Sequence, residues 1–415
     1  MRGVFLPKRI LFVTNNYFPR TGTCTNILLK LLYDGGLQQH LGQVDVLCGK
    51  DHIDDPDQEQ VDGMTVRRAN AWTLVTMQEV KVVAKKHPLT ALCAVAEKLL
   101  HKLLVFGNGA FIDRFASRAF YRALRELHAE DYDYIVTISG RYYHTDAVLR
   151  YHRKTGARFV FYQVDPLGGN LGMSPASRAR RVAYEKELYR CAQHVLTTPI
   201  LLRENAAIFA RDLIEKAKAM EFPLLVVTAD NAPEIQKEGP PLCSFIGNIY
   251  GDIRDPSYTL RLFEPLISEG LADVQFIGGI QPDLLPKVQA AGIRCPGPQP
   301  LEEALGAMRR SAFLINIGNS VLNQMPSKLI DYVATGRPII NICKSRACPS
   351  IVFLKDYPLA LTLYENDPDI DAQLVSLKRF LAANAGVVLD GDIVRNLYRA
   401  FTPAYCARIM EELLL

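Results

Sequence analysis

The sequence predicts an α/β protein built of two doubly wound, Rossmann-like domains, and three observations carry that expectation. Short apolar runs alternate with helix-period patterns along most of the chain, as in a parallel sheet covered by helices on both faces. The alternation lapses at residues 221–241, EFPLLVVTADNAPEIQKEGPP, where four prolines surround one short apolar run, and then starts again. Such a lapse marks a domain junction. The length, 415 residues, has room for two domains of ~150 residues and a remnant. The domains are therefore expected over 1–221 and 222–395, with a C-terminal helical stretch, 396–415, that no strand follows and that is free to pack anywhere, the first domain included.

In the first domain, the β-forming run ILFVT predicts a strand at 10–14, stopped by Asn15 and Asn16. A helix around 24–40 and a strand at 43–48 follow, and a third strand precedes Trp72. Farther on come a strand at 134–138, a helix over 145–154, a strand at 158–163, a helix across 178–191 and a strand at 194–197. In the second domain, a strand at 242–246 ends at Gly247, a helix covers 258–267, and a strand at 274–277 ends at Gly278 and Gly279. Helices at 286–291 and 301–310, a strand at 312–315, a helix at 327–335 and a strand at 338–342 complete it. Pro326 suits a first helical turn, where its missing N–H is no loss, and Gly336 with Pro338 stops the helix. Trp72 reads as a packing residue, and the YYHTD run at 142–146 as a helix start capped by local polar groups.

Composition narrows the function. Lys and Arg number 48 against 44 Asp and Glu, a net charge of +4 that is too small over this length to make nucleic acid a partner. The nine cysteines are scattered, and only Cys343 and Cys348 lie close together. No second pair accompanies them, so buried free thiols in a reducing compartment are expected, with no metal site. The N-terminal apolar run is interrupted by Pro7, Lys8 and Arg9, and the longest apolar stretch, 91–106, is broken by Glu97, Lys98, His101 and Lys102. Neither an export signal nor a spanning helix is expected, which predicts a cytoplasmic protein.

Ligands of open α/β sheets bind beyond the carboxyl ends of the strands. The loop after the first strand, residues 15–23, contains Gly22, which lets a ligand approach the backbone, and Thr23, which opens the next helix. No G-x-G-x-x-G occurs there, which argues against a dehydrogenase. The segment 323–340, NQMPSKLIDYVATGRPII, is more informative. Ser327, Lys328 and the amides at the helix start gather donors and positive charge, and Asp331 lies one turn on, along the same face. That pairing suits a nucleoside diphosphate with its ribose, and equally a capped helix with a solvent-facing Asp.

The segment resembles the donor-binding signature of retaining glycosyltransferases of the GT-B fold, in particular those of glycosyltransferase family 4, whose two Rossmann-like domains face each other across a cleft. The resemblance puts Asn323 at the family's first Glu, which contacts the transferred sugar, and Asp331 at the second, which holds the ribose. Gln324, Met325, Pro326 and Ser327 then form the turn over the phosphates and sugar. It further implies that Gly247 and Asn248 begin the donor half, that Arg254 and Lys328 meet the diphosphate, and that Gly278 and Gly297 flank the base. Asp165 falls in the acceptor domain, and Asn323, Arg254, Lys328 and Asp165 form the implied catalytic set. The implied reaction transfers a sugar from a nucleotide diphosphate sugar to a hydroxyl with retention, without a cofactor or a required metal, in surface polysaccharide or glycolipid synthesis. Since Asn323 and Asp331 replace two glutamates, a non-catalytic partner subunit is a second reading; a sugar-nucleotide epimerase ranks below it.

Residues 81–125 add a local charge bias. Lys81, Lys85, Lys86, Lys98, Lys102, Arg114, Arg118, Arg122 and Arg125 stand against Glu97 and Asp113 alone, and apolar residues alternate with them. Helices of this composition either rest their apolar face on a sheet or lie on anionic membranes. The second alternative implies a peripheral protein and a lipid-linked acceptor.

Overall fold

The computed structural model describes residues 8–17, 22–76, 99, 103, 111–168, 173–231, 239–251, 253–319 and 327–415. The chain divides into two compact units, Met1–Pro223 with Pro403–Leu415, and Leu224–Thr402.

Among the described residues, the first unit holds eight strands: β1 (Arg9–Val13), β2 (Gln43–Gly49), β3 (Gln58–Val61), β4 (Met64–Ala69), β5 (Tyr134–Ile138), β6 (Phe159–Gln163), β7 (His194–Thr197) and β8 (Ala217–Ala219). Their order is β3-β4-β2-β1-β5-β6-β7-β8, and only the β3–β4 pairing, a hairpin turned at Asp62 and Gly63, is antiparallel. From Ile10 to Val13 every side chain is buried, as is all of β6. Helices therefore cover both faces of this sheet, which is why its strands read as continuous apolar runs. Leu11, Val13, Phe120, Leu124, Phe159, Phe161 and Leu188 form part of the core.

The helix expected over 24–40 is broken. An α-helix at Thr23–Leu29 passes into a π-turn at Lys30–Asp34, and a last turn, Leu37–His40, starts after Gly36 at φ +71°. The break accommodates the terminal helix Pro403–Leu414. A Cβ on Gly35 would stand 2.7 Å from the Ala407 Cβ and 2.8 Å from the Pro403 carbonyl oxygen. Lys218 Nζ donates to Glu412 Oε2 at 2.6 Å, and Cys406, Ala407 and Met410 are buried. Residues 396–402, expected to belong with this helix, sit instead in the second unit. There Tyr398 and Phe401 pack on Phe353, and Arg395 Nη1 donates to Asp230 Oδ2 at 2.9 Å.

The second unit has β9 (Leu242–Ile246), β10 (Asp273–Ile277), β11 (Arg294–Gly297), β12 (Phe313–Ile317), β13 (Ile339–Cys343) and β14 (Ala360–Tyr364). They lie in the order β11-β10-β9-β12-β13-β14, all parallel. The sheet grows outward from β9 through β11, then resumes on the other side of β9 with β12. This reversal is where an open α/β sheet leaves a crevice at its carboxyl edge. Register inside the apolar sheet is pinned by polar pairs on adjacent strands. Gln275 donates to Ser244 Oγ at 2.9 Å, and Asn316 donates to Asn341, whose Nδ2 reaches Thr362 Oγ1. A one-residue slip would strand these buried groups without partners.

Two smaller readings resolve at side-chain level. Trp72 packs edge-on against Phe115 at 5.3 Å. The helix Tyr143–Thr155 is not capped by its own polar residues: Tyr142 precedes it at φ +60° and no side chain caps it. Asp146 instead accepts from Ser117 at 2.5 Å and from Tyr184 at 3.2 Å, so tertiary partners outcompete the local cap.

Candidate functional site

At the carboxyl edge of the second sheet, three glycine turns interlock. Gly247, just after β9, donates its N–H to the Ile277 carbonyl at 2.7 Å, and Gly278, just after β10, donates to the Gly297 carbonyl at 3.1 Å. A Cβ on Gly278, at φ +135°, would stand 2.0 Å from the Gly247 carbonyl oxygen. No side chain fits there, so backbone lies directly on backbone. Asn248 locks the pair from outside, its Oδ1 accepting from the Gly279 N–H at 2.9 Å.

Lys328 opens the helix Lys328–Ala334 and reaches this turn. A Cβ on Gly247 would meet its Nζ at 2.3 Å, so the ammonium lies directly against the glycine. Arg254 anchors to the same loop, its Nη1 donating to the Asn248 carbonyl at 3.4 Å. Its buried Nε has no hydrogen-bond partner among the described residues. Burial lowers the pKa of Arg254. Lys328 is pulled down to about 8, first by burial and then by the charge of Arg254, while Asp331 acts in the opposite direction. Two like charges are thus held close together and partly out of water. An anion with several oxygens would offset both penalties.

Tyr332, which the sequence does not single out, fixes this helix to the sheet. Its hydroxyl accepts from the Ile246 N–H at 2.9 Å, at the very end of β9. Its only signal in the sequence is an aromatic with a polar tip on the apolar side of the helix. Tyr332→Phe strands a buried amide, and a loss of about 1–3 kcal/mol is expected in thermal unfolding. An unchanged melting temperature would deny the hydroxyl that role.

Of the residues expected at the donor site, the structure brings together Gly247, Asn248, Arg254, Gly278, Gly297, Lys328 and Asp331 on this edge. Ser327 precedes the helix in a helical conformation and makes no side-chain capping bond. Asn323, Gln324, Met325 and Pro326 lie outside the described residues.

Asp165, Gly22 and Thr23 belong to the first unit, at the edge where its strand order reverses between β1 and β5. Gly22 has φ −113°, and a Cβ there would make ordinary contacts with Asn16, so packing does not demand glycine. Asp165 follows β6; its N–H donates to Ser139 Oγ at 3.3 Å and its carbonyl accepts from Tyr142 Oη at 2.9 Å. Its segment is gripped from below by Glu185, unforeseen in the sequence. The Glu185 Oε1 accepts from Leu167 N–H at 2.5 Å, Gln163 Nε2 at 2.8 Å and Tyr142 Oη at 3.2 Å. Burial raises its pKa while these donors work against the rise.

No protein-family model matches this sequence, and no curated protein matches it. Solved structures do. The apo form of the lipopolysaccharide outer core galactosyltransferase WaaB aligns with a TM-score of 0.59 at 11% identity, over 97% of this chain and 98% of that one. Anabaena Alr3699/HepE in complex with UDP and glucose aligns with a TM-score of 0.60 at 10% identity, over 98% and 99%. The chain has the GT-B fold. A third GT-B match is an alpha,alpha-trehalose-phosphate synthase (UDP-forming) from Burkholderia vietnamiensis, with a TM-score of 0.59 at 13% identity, over 98% and 99%. At such identities the likeness speaks for the GT-B architecture, and chemistry must be argued from the site.

Proposed function

We propose that this chain is a retaining glycosyltransferase that moves a sugar from a nucleoside diphosphate sugar to a hydroxyl acceptor, in surface polysaccharide or glycolipid synthesis. The observation that carries this reading is the partly buried pair Arg254 and Lys328 beside the Gly247 turn, with Asp331 on the same helix as Lys328. Charge develops on the leaving diphosphate as the glycosidic bond breaks, and two fixed cations in a poorly solvated edge stabilise it without a required metal. Asp331 takes the ribose hydroxyls, and Gly278 and Gly297 border the base. Asn323 faces the transferred sugar and Gln324, Met325, Pro326 and Ser327 the phosphates, assignments that rest on the family resemblance. Asp165, Gly22 and Thr23 are assigned to the acceptor side.

Support for the donor class comes from the solved relatives, described as complexed with UDP, with UDP-glucose, or with ADP and acarbose. A thermal-shift panel of nucleoside diphosphates and their sugars tests the proposal, beginning with uridine and adenine. Ligand at 100 times its dissociation constant stabilises by about 2.7 kcal/mol. A flat response to all of them would overturn the donor site and favour a non-catalytic partner subunit.

The site also carries a pH signature. Lys328 keeps its proton below about 8, so diphosphate binding there takes up no proton. Above it, binding must restore the proton, and affinity falls by up to about tenfold per pH unit. Calorimetry in two buffers of different ionisation enthalpy reads that uptake directly; none above pH 8 would remove Lys328 from the phosphates. In the free protein, the unfolded chain holds this proton up to its ordinary 10.5. The contribution of Lys328 to stability therefore improves as pH rises from about 8 to about 10.5.

The acceptor is proposed to be lipid-linked and met at an anionic membrane face, the protein being cytoplasmic and peripheral. Arg114, Arg118, Arg122 and Arg125 are exposed along one side of the helix Arg114–Glu126, whose other side buries Ala116, Phe120, Ala123 and Leu124. Leu99 and Leu103 stand 58% and 70% exposed, apolar side chains of the kind a membrane face takes up. Lys81, Lys85, Lys86, Lys98 and Lys102 lie outside the described residues. Among the described residues, no helix is long and apolar enough to cross a membrane. Sedimentation with phosphatidylserine vesicles should show binding that weakens with salt, and a fourfold charge reversal of the arginines should abolish it. Equal sedimentation with neutral vesicles would count against the surface.

A further inference from the structure

We propose that Cys343 and Cys348 are a redox modification site, two thiols placed to close a reversible disulfide at the carboxyl edge of the second sheet. Cys343 ends β13, and Cys348 caps the short helix Pro349–Phe353. A single hydroxyl touches both: Ser350 Oγ lies 3.3 Å from the Cys343 sulfur and 3.0 Å from the Cys348 sulfur. The shared hydroxyl therefore brings the two sulfurs to the same point. Gly318, the first residue after β12, leaves the room for this arrangement, since a Cβ there would stand 3.1 Å from the Cys348 sulfur. Both sulfurs are buried, but Arg346 and Ala347, in the turn joining them, are exposed. Local opening of that turn admits a small oxidant.

The pair is chemically unequal. Pairing with Cys343 holds the Cys348 thiol below its usual range, against burial and with help from Ser350, while the same pairing and burial raise Cys343. Cys348 is thus the nucleophile and Cys343 the resolving thiol. With hydrogen peroxide as oxidant, the Cys348 thiolate attacks one oxygen, the O–O bond breaks and hydroxide leaves, giving a sulfenic acid. The Cys343 sulfur then attacks the Cys348 sulfur, the S–O bond breaks, and the oxygen departs as water with the Cys343 proton. The first hydroxide takes up the proton Cys348 had released, so two thiols lose two electrons and one peroxide becomes two waters.

The test needs no sugar substrate. Reduced, folded protein is treated with limiting hydrogen peroxide, denatured, alkylated and digested with trypsin. The peptides ending at Lys344 and Lys355 should appear linked, and dithiothreitol should separate them. In Cys343→Ser the reaction should stop at a sulfenic acid on Cys348 that dimedone labels, whereas Cys348→Ser should lower labelling of Cys343 at least about tenfold. Ser350→Ala, which leaves both thiols in place, should slow the linkage. The proposal is overturned if linked peptides fail to form while the half-buried Cys191 and Cys295 are oxidised. Equal labelling of the two single variants would overturn it as well.

Discussion

Replacing Lys328 with methionine should weaken nucleoside diphosphate binding by roughly ten- to hundredfold while leaving the free protein as stable as before, or more so. Each charged hydrogen bond to a phosphate contributes about 1.5–3 kcal/mol, and each 1.4 kcal/mol is a factor of ten. In the free protein, however, the Lys328 ammonium is held partly out of water beside Arg254, and its lowered pKa records the cost. Methionine keeps the length of the stem against Gly247 and removes the charge, so binding and stability should move in opposite directions. Arg254→Ala should lose affinity by a similar factor. The double variant should lose less than the sum, because each cation relieves the other when it is removed. Calorimetric titration with the nucleotide chosen by the panel, together with thermal unfolding of the free variants, reads both quantities. Unchanged affinity in Lys328→Met would move the anion elsewhere; a simultaneous fall in stability and affinity would make Lys328 a structural residue.

Gly278→Ala should lower the melting temperature of the second unit by roughly 6–12 °C. Its φ of +135° costs a side-chain-bearing residue about 1–3 kcal/mol. The added carbon would stand 2.0 Å from the Gly247 carbonyl oxygen and 2.6 Å from the Gly247 carbonyl carbon. Relieving that overlap means moving backbone, at about 1–3 kcal/mol more. With about 1 kcal/mol for the strain and about 2 for the overlap, the roughly 3 kcal/mol lost corresponds, over a unit of this size, to the stated shift. Gly297→Ala is the internal control. Gly297 also has positive φ, +80°, but nothing lies within 4 Å of its added Cβ, so a drop of only about 2–4 °C is expected. Calorimetric scans of both variants compare strain alone with strain plus overlap. Equal shifts would mean that the turns of β9 and β10 do not interlock.

The two variants also mark where the sequence is legible. β5, β7, β9 and the helix Leu301–Arg310 are found at the residues their apolar patterns predict, because an element buried on a sheet must display its period locally. The short edge strands β8, β11 and β14 leave no such signal in the sequence. β8 and β11 have three and four residues, β11 is half exposed, and β14 carries only one fully buried residue, so their pairing is decided by the neighbouring strand. Nothing local announces that Ala407 and the Pro403 carbonyl press on Gly35, so the sequence by itself predicts a continuous helix at 24–40.

The same division holds at the candidate site. The order of elements and the chemistry of the segment from Ser327 to Pro338 stand in the amino-acid string, since caps, stops and helix faces depend on residues a few positions apart. Three features do not stand there: that Lys328 lies against Gly247, that Arg254 adds its charge to the burial that lowers the Lys328 pKa, and that Tyr332 holds its helix to the end of β9. Each joins residues far apart along the chain, and their meeting follows from the parallel sheet, which brings the ends of β9, β10 and β12 to one edge. Cys343 and Cys348 are the instructive intermediate. Their nearness was visible as a spacing, but a β-strand ending and a helix starting around one shared serine are what turn two buried thiols into a reactive pair.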